Sequence, residues 1–136
     1  MTSGYSGTPL PRKLGIKPGH RVLLLGPPEG FAEGTLGELP DGVSVSTRAS
    51  GVADVIVAFH LRRAELAKRM PALRERMDAA AGLWIAWPKR ASKVETDLTE
   101  DVVRELALAN TLVDNKVCAI DETWSGLRLV IRLKDR

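Results

Sequence analysis

One cysteine, two histidines and six aromatic residues in 136 positions narrow the chemistry open to this chain. Cys118 has no partner for an intramolecular disulfide, and with His20 and His60 it is too few to build a structural zinc site, so it reads as a small buried hydrophobe. The first twenty residues hold no apolar stretch of signal-peptide type. The longest hydrophobic runs are strand-length, far below the roughly 18 residues of a membrane span, and a cytoplasmic location is expected. Common catalytic strings are missing as well: no GxSxG elbow, no HExxH, no P-loop GxxxxGK[ST] and no GxGxxG. A Ser–His–acid triad could be assembled only around His60 with Ser50 or Ser92, and nothing in the spacing recommends it. Nucleic-acid binding by base stacking wants aromatics interleaved with basic residues, and only Trp87 lies near them, so a nucleic-acid partner is not expected.

What is present fits one globular domain: 44% hydrophobic residues, 12 Gly, 8 Pro and a net charge of +3. Val22 to Leu25 is a continuous apolar run stopped by Gly26, Pro27 and Pro28, the pattern of a strand buried on both faces. A weak helix is expected from Phe31 to Leu39, then an edge-type alternating strand from Val43 to Arg48. Asp54 to His60 forms a second buried strand. It runs into a helix from about Leu61 to Met77 with an apolar stripe at Leu66, Met70, Leu73 and Met77, kinked or restarted at Pro71, and closed by Ala79 to Gly82. Leu83 to Trp87 is a third buried strand. Thr99 is a good N-cap, with Glu100 and Asp101 in the first turn and Leu98 placed to staple onto Val103, for a helix ending near Asn110. Val113 to Ile120 and Leu127 to Leu133 complete the series as strands, the latter alternating inward residues against Arg128 and Arg132. Residues 1–20 read as an arm, a flexible start followed by a short capping helix around Thr8 to Leu14. Residues 21–136 read as a single α/β domain.

This series of elements, opened by KPGHRVLLLG and closed around WSGLRLVIR, resembles the class I S-adenosylmethionine-dependent methyltransferase form of the Rossmann-like fold. The resemblance implies a three-layer sheet of about six strands with the last one antiparallel, reduced by one strand–helix unit after VSVSTR. The strings GYSGTPL, KLGIKPG, RVLLLG, AWPK, TDLTEDVVRE and DETWSGLRLV together are similar to a family of small, uncharacterised bacterial proteins. Methyltransferases of this class carry a GxGxG-like turn after the first strand; here Gly26 and Gly30 keep the outer glycines while Pro27, Pro28 and Glu29 fill the middle. They commonly end the second strand with an acid that holds the ribose hydroxyls. This chain has Ser46, Thr47 and Arg48 there.

Ligands of open α/β sheets bind beyond the carboxyl ends of the strands. Those ends give Gly26, Glu29 and Gly30, then Arg48, then His60 and Arg62, then Lys89 and Lys93. Between His60 and Lys93 there are nine Lys or Arg against three acids. A basic rim of this kind suits a phosphate or carboxylate. Much of the helical charge also reads as a solvated face, with Glu65 and Arg69 as an ordinary i, i+4 pair. The residues therefore favour a binding or interaction protein for an anionic small molecule or acidic partner over an enzyme. The alternative is a compact methyltransferase with S-adenosylmethionine on the Gly26–Gly30 backbone. A self-association through the sheet edge left by the missing strand is a third expectation.

Overall fold

The computed structural model describes residues 7–136; the expected flexible start, residues 1–6, lies outside them. Nine regular elements follow one another: α1 (Leu10–Lys13), β1 (Arg21–Leu25), β2 (Ser44–Ser46), β3 (Ala53–Phe59), α2 (Arg63–Glu75), β4 (Met77–Pro88), α3 (Glu100–Ala109), β5 (Leu112–Ala119) and β6 (Trp124–Ile131). They build one six-stranded sheet in the order β2-β1-β3-β4-β6-β5. The pairs β1–β2, β1–β3 and β3–β4 are parallel, whereas β6 is antiparallel to both β4 and β5. The last strand is thus inserted between β4 and β5, and the order reverses between β1 and β3.

The continuous apolar runs became the central strands because both faces of the sheet are covered. On one face Leu23, Leu25, Ile56, Ala58, Leu83 and Ile85 pack with Leu66, Met70 and Leu73 of α2 and Val103, Leu106 and Ala107 of α3. On the other, Val22, Leu24, Val55, Val57 and Trp84 pack with Leu14, Ile16, Phe31 and Leu36. Thr99 caps α3, its Oγ1 accepting from the Val102 N–H at 3.2 Å. Leu98 and Val103 are buried in the same cluster, as the expected staple requires.

Five expectations are corrected. The helix from Phe31 to Leu39 is only a π-helical turn, Phe31–Thr35, because Gly30 enters it at φ +79° and Gly37 follows at φ +82°. The strand from Val43 to Arg48 shrinks to three residues. Pro71 does not break α2, which runs unbroken from Arg63 to Glu75 with Pro71 on its exposed side. Its missing N–H costs one bond, which the buried stripe offsets. Residues 77–82 are not a helix end but the start of β4: Met77 pairs with Ala53, and the register then shifts so that Val55 meets Gly82. Pairing with β3 there overrides the helix propensity of three consecutive alanines. The last strand, expected from Leu127 to Leu133, instead begins at Trp124 and stops at Ile131. Leu133 sits in a 3-10 turn, 80% exposed.

Candidate functional site

All the strand ends singled out above fall on one edge of the sheet. Gly26 follows β1 at φ +68°, and a Cβ there would stand 3.3 Å from the Phe59 carbonyl oxygen, so the ends of β1 and β3 meet backbone to backbone. Gly30 also has a left-handed backbone, but the space where its side chain would be is open. The turn between them is held by Phe31 N–H donating to the Pro28 carbonyl at 3.1 Å, and Glu29 is exposed. Phe31 then turns inward and stacks edge-on against Phe59 at 5.0 Å, which in turn meets Trp124 at 5.1 Å. Trp124, half-buried, is thus packed against the end of β3.

Arg48 lies just past β2, exposed, in a small Ser46 turn: its N–H donates to Ser46 Oγ at 3.1 Å. The serine hydroxyl is thereby occupied by local backbone. His60 is 3% exposed and ends β3 with its N–H on the Ala86 carbonyl at 3.0 Å. Its Nδ1 lies 3.2 Å from Glu65 Oε1, while Nε2 is buried without a partner. Burial pushes the His60 pKa below its ordinary 6.5, the bond to Glu65 opposing and Arg69 reinforcing the shift. Glu65 thus serves His60 and forms none of the ion pairs with Arg69 that its spacing suggested.

The basic character of the rim is reduced by acids from the segment after it. Arg62 pairs with Glu95 at 3.0 Å and Arg63 with Glu105 at 2.6 Å, while the Arg63 N–H donates to Asp97 Oδ1. These partners sit 33 to 42 positions away in sequence, beyond the window over which the charge excess was counted. Lys89 and Lys93 do come together. With Arg90 and the nearly buried Trp87 they border an open cavity of about 510 Å³, whose other wall carries Glu95 and Glu100. Lys93 holds a left-handed backbone at φ +63°. Gly26, Glu29, Gly30, Arg48, His60 and Arg62 do not line this cavity.

A second cavity on the same edge, of about 580 Å³, escaped sequence reasoning because two distant segments build it. Thr8 and Leu10 of the arm face Ile120 to Thr123 between β5 and β6, with Thr35 from the π-helical turn. Asp121 is committed there as a turn acceptor, its Oδ1 taking the N–H groups of Thr123 and Trp124 at 2.8 Å each.

No protein-family model matches the chain, and no curated protein sequence matches it. Solved structures do. An S-adenosylmethionine-dependent methyltransferase from Aquifex aeolicus is 18% identical, with a TM-score of 0.60 over 89% of this chain and 87% of the other. Magnesium protoporphyrin IX methyltransferase from Synechocystis, solved with bound S-adenosylhomocysteine, is 14% identical, with a TM-score of 0.56 over 85% and 75%. A tRNA methyltransferase of B. subtilis is 10% identical, with a TM-score of 0.54 over 96% and 68%. The fold is thus the methyltransferase type of Rossmann-like sheet, here with six strands. No helix among the described residues is long and apolar enough to cross a membrane.

Proposed function

We propose that this chain is a compact S-adenosylmethionine-dependent methyltransferase that holds the adenosyl group at the carboxyl ends of β1 and β3. The observation that supports it is the reversal of strand order at that point, with the Gly26–Gly30 turn beside it. Open α/β sheets bind ligands at such a switch point, and a glycine turn lets backbone approach them. The turn fits the group through its main chain: the space beside Gly30 is open, and Glu29 is an exposed carboxylate of the same turn that would serve the ribose hydroxyls in place of the acid absent after β2. When bound, the cofactor would supply an electrophilic methyl group for an acceptor nucleophile. Membership of the family of small bacterial proteins sharing KLGIKPG and DETWSGLRLV belongs to the same reading and rests on those strings.

The test is the melting temperature of the purified chain with and without millimolar S-adenosylhomocysteine. A ligand at a hundred times its Kd adds about 2.7 kcal/mol, which moves the midpoint by several degrees. No shift in the parent protein rejects the reading.

A second reading is favoured by the cluster of Lys89, Arg90 and Lys93 at one cavity mouth. In it the rim binds an anionic small molecule or an acidic partner without methyl transfer. It expects stabilisation by anions that a Lys89→Gln, Lys93→Gln double variant abolishes while its fold stays intact; retained stabilisation in that variant rejects it.

A further inference from the structure

Away from the rim, a second group of basic residues gathers beside the middle of the β5–β6 ladder. Lys116 of β5 and Arg128 of β6 are directly opposed in the ladder, a like-charge pair that destabilises the two strands unless something neutralises it. The end of α1 and the segment after it bring Lys13 and Lys17 to the same place. These four, with Asn115 and Gly15, line a cavity of about 260 Å³ that contains no acid.

The contacts within it are to neutral acceptors. Arg128 Nη1 reaches Asn115 Oδ1 at 3.3 Å, and Lys116 Nζ reaches the Lys13 carbonyl at 3.3 Å, both long for charged donors. Lys13 Nζ donates to the Ala119 carbonyl at 2.8 Å. None of the ion pairs among the described residues involves Lys17, Lys116 or Arg128. The sheet is also shaped around the guanidinium. A Cβ on Gly82 of β4 would stand 2.5 Å from Arg128 Nε, so the half-buried guanidinium lies directly over the Gly82 backbone and a side chain there would displace it. Burial lowers the Arg128 pKa, and nearby Arg136 adds to the shift. On the flank, an adjoining cavity of about 180 Å³ shares Gly15, Lys17 and Arg128 and carries Asp54 and Asp78, which leaves Lys116 as the cation farthest from these acids.

We infer that this cavity is a binding site for the phosphate group of a small molecule, with Arg128 over Gly82 as its fork and Lys116 and Lys17 closing on the remaining oxygens. A guanidinium offers a planar pair of donors that matches a phosphate, and two ammonium groups beside it supply charge-assisted bonds. An anion also removes the repulsion between Lys116 and Arg128 that folding leaves in place.

The probe is inorganic pyrophosphate, added at millimolar concentration to the full chain, with sodium chloride of equal ionic strength as the control. Pyrophosphate is expected to raise the melting temperature by several degrees where chloride does not. The Lys17→Gln, Lys116→Gln double variant alters two exposed side chains and leaves the core untouched; it is expected to raise the pyrophosphate Kd at least tenfold. Lys89→Gln with Lys93→Gln should leave that Kd unchanged. An equal response to chloride, no response in the parent chain, or an unaltered Kd in the Lys17, Lys116 variant each overturns the assignment. Loss of binding in the Lys89, Lys93 variant overturns it too, and moves the anion to the rim. Chemical-shift changes on the Gly82 amide and the Arg128 Nε–H during the titration are the direct signature, and their absence has the same force.

Discussion

Trp84 joins the sheet to the N-terminal arm, and replacing it with phenylalanine measures that joint. The indole is fully buried in the middle of β4, and its Nε1–H donates to the Leu14 carbonyl at 3.0 Å, across 70 positions of sequence. Phenylalanine fills most of the same space but has no donor, so the Leu14 carbonyl loses its buried partner. An unsatisfied buried acceptor costs about 1–3 kcal/mol. The lost part of the ring removes the equivalent of one or two buried methylenes, roughly another 1–2 kcal/mol with the void left behind. The sum, about 2–5 kcal/mol, is a large fraction of the 5–15 kcal/mol typical of a domain. It corresponds to a fall in Tm of roughly 8–20 °C. Urea denaturation followed by far-ultraviolet circular dichroism gives the free energy, and the slope m should stay constant because the folded surface is unchanged. Hydrogen exchange gives the location: the Ile16 amide, bonded to the Pro11 carbonyl at 2.9 Å, should lose protection more than amides of β3. A loss below about 1 kcal/mol at constant m, or uniform loss of protection, would refute the reasoning that one side-chain bond fixes the arm to the sheet.

Three further outcomes are expected. Because burial lowers the His60 pKa, the unfolded chain takes up that proton first on acidification. The stability this group contributes is therefore complete above pH 6.5 and is lost as the pH falls from there through the depressed folded value; in denaturant titrations His60→Gln should flatten this part of the profile, and an unchanged profile would show that other groups carry it. Gly126→Ala would place a Cβ 2.9 Å from Ile120 Cδ1 and 3.0 Å from Trp84 Cε3 in the closed core, and should cost about 1–3 kcal/mol. A neutral result by calorimetry would mean that the Ile120 and Trp84 side chains shift freely. Thr99→Ala removes the bond to the Val102 N–H and should cost about 1 kcal/mol, which Thr99→Ser restores; failure of serine to rescue would assign the loss to packing instead.

The parts of the fold legible in the sequence were those governed by continuous burial. Val22 to Leu25 and Val55 to Phe59 have no polar face, so only a central strand accommodates them, and Thr99 followed by Glu100 and Asp101 is a local signal complete in itself. Residues 77–82 were illegible because their alanines favour a helix and only the pairing of Met77 with Ala53 decides otherwise. Leu133 continued an inward alternation in sequence, but β6 ends at Ile131, opposite Leu112 at the start of β5, and the alternation loses its meaning once the strand has no neighbour.

The candidate site divides in the same way, and charge shows why. Strand ends can be located from where apolar runs stop, so Gly26, Arg48, His60 and Lys89 were placed on the correct edge. Whether that edge is basic is a question about space, and the count was made along the chain. Glu95, Asp97 and Glu105 fold back onto Arg62 and Arg63, so two of the nine basic side chains of that window are spent in ion pairs. Beside the β5–β6 ladder the reverse happens. Lys13 and Lys17, Lys116, and Arg128 come from three separate stretches, and the ladder sets Lys116 opposite Arg128 with no acid lining the cavity between them. A field depends on charges that remain uncompensated after folding. On that criterion Lys17, Lys116 and Arg128, which form no ion pair among the described residues, count for more than Arg62 and Arg63, which do.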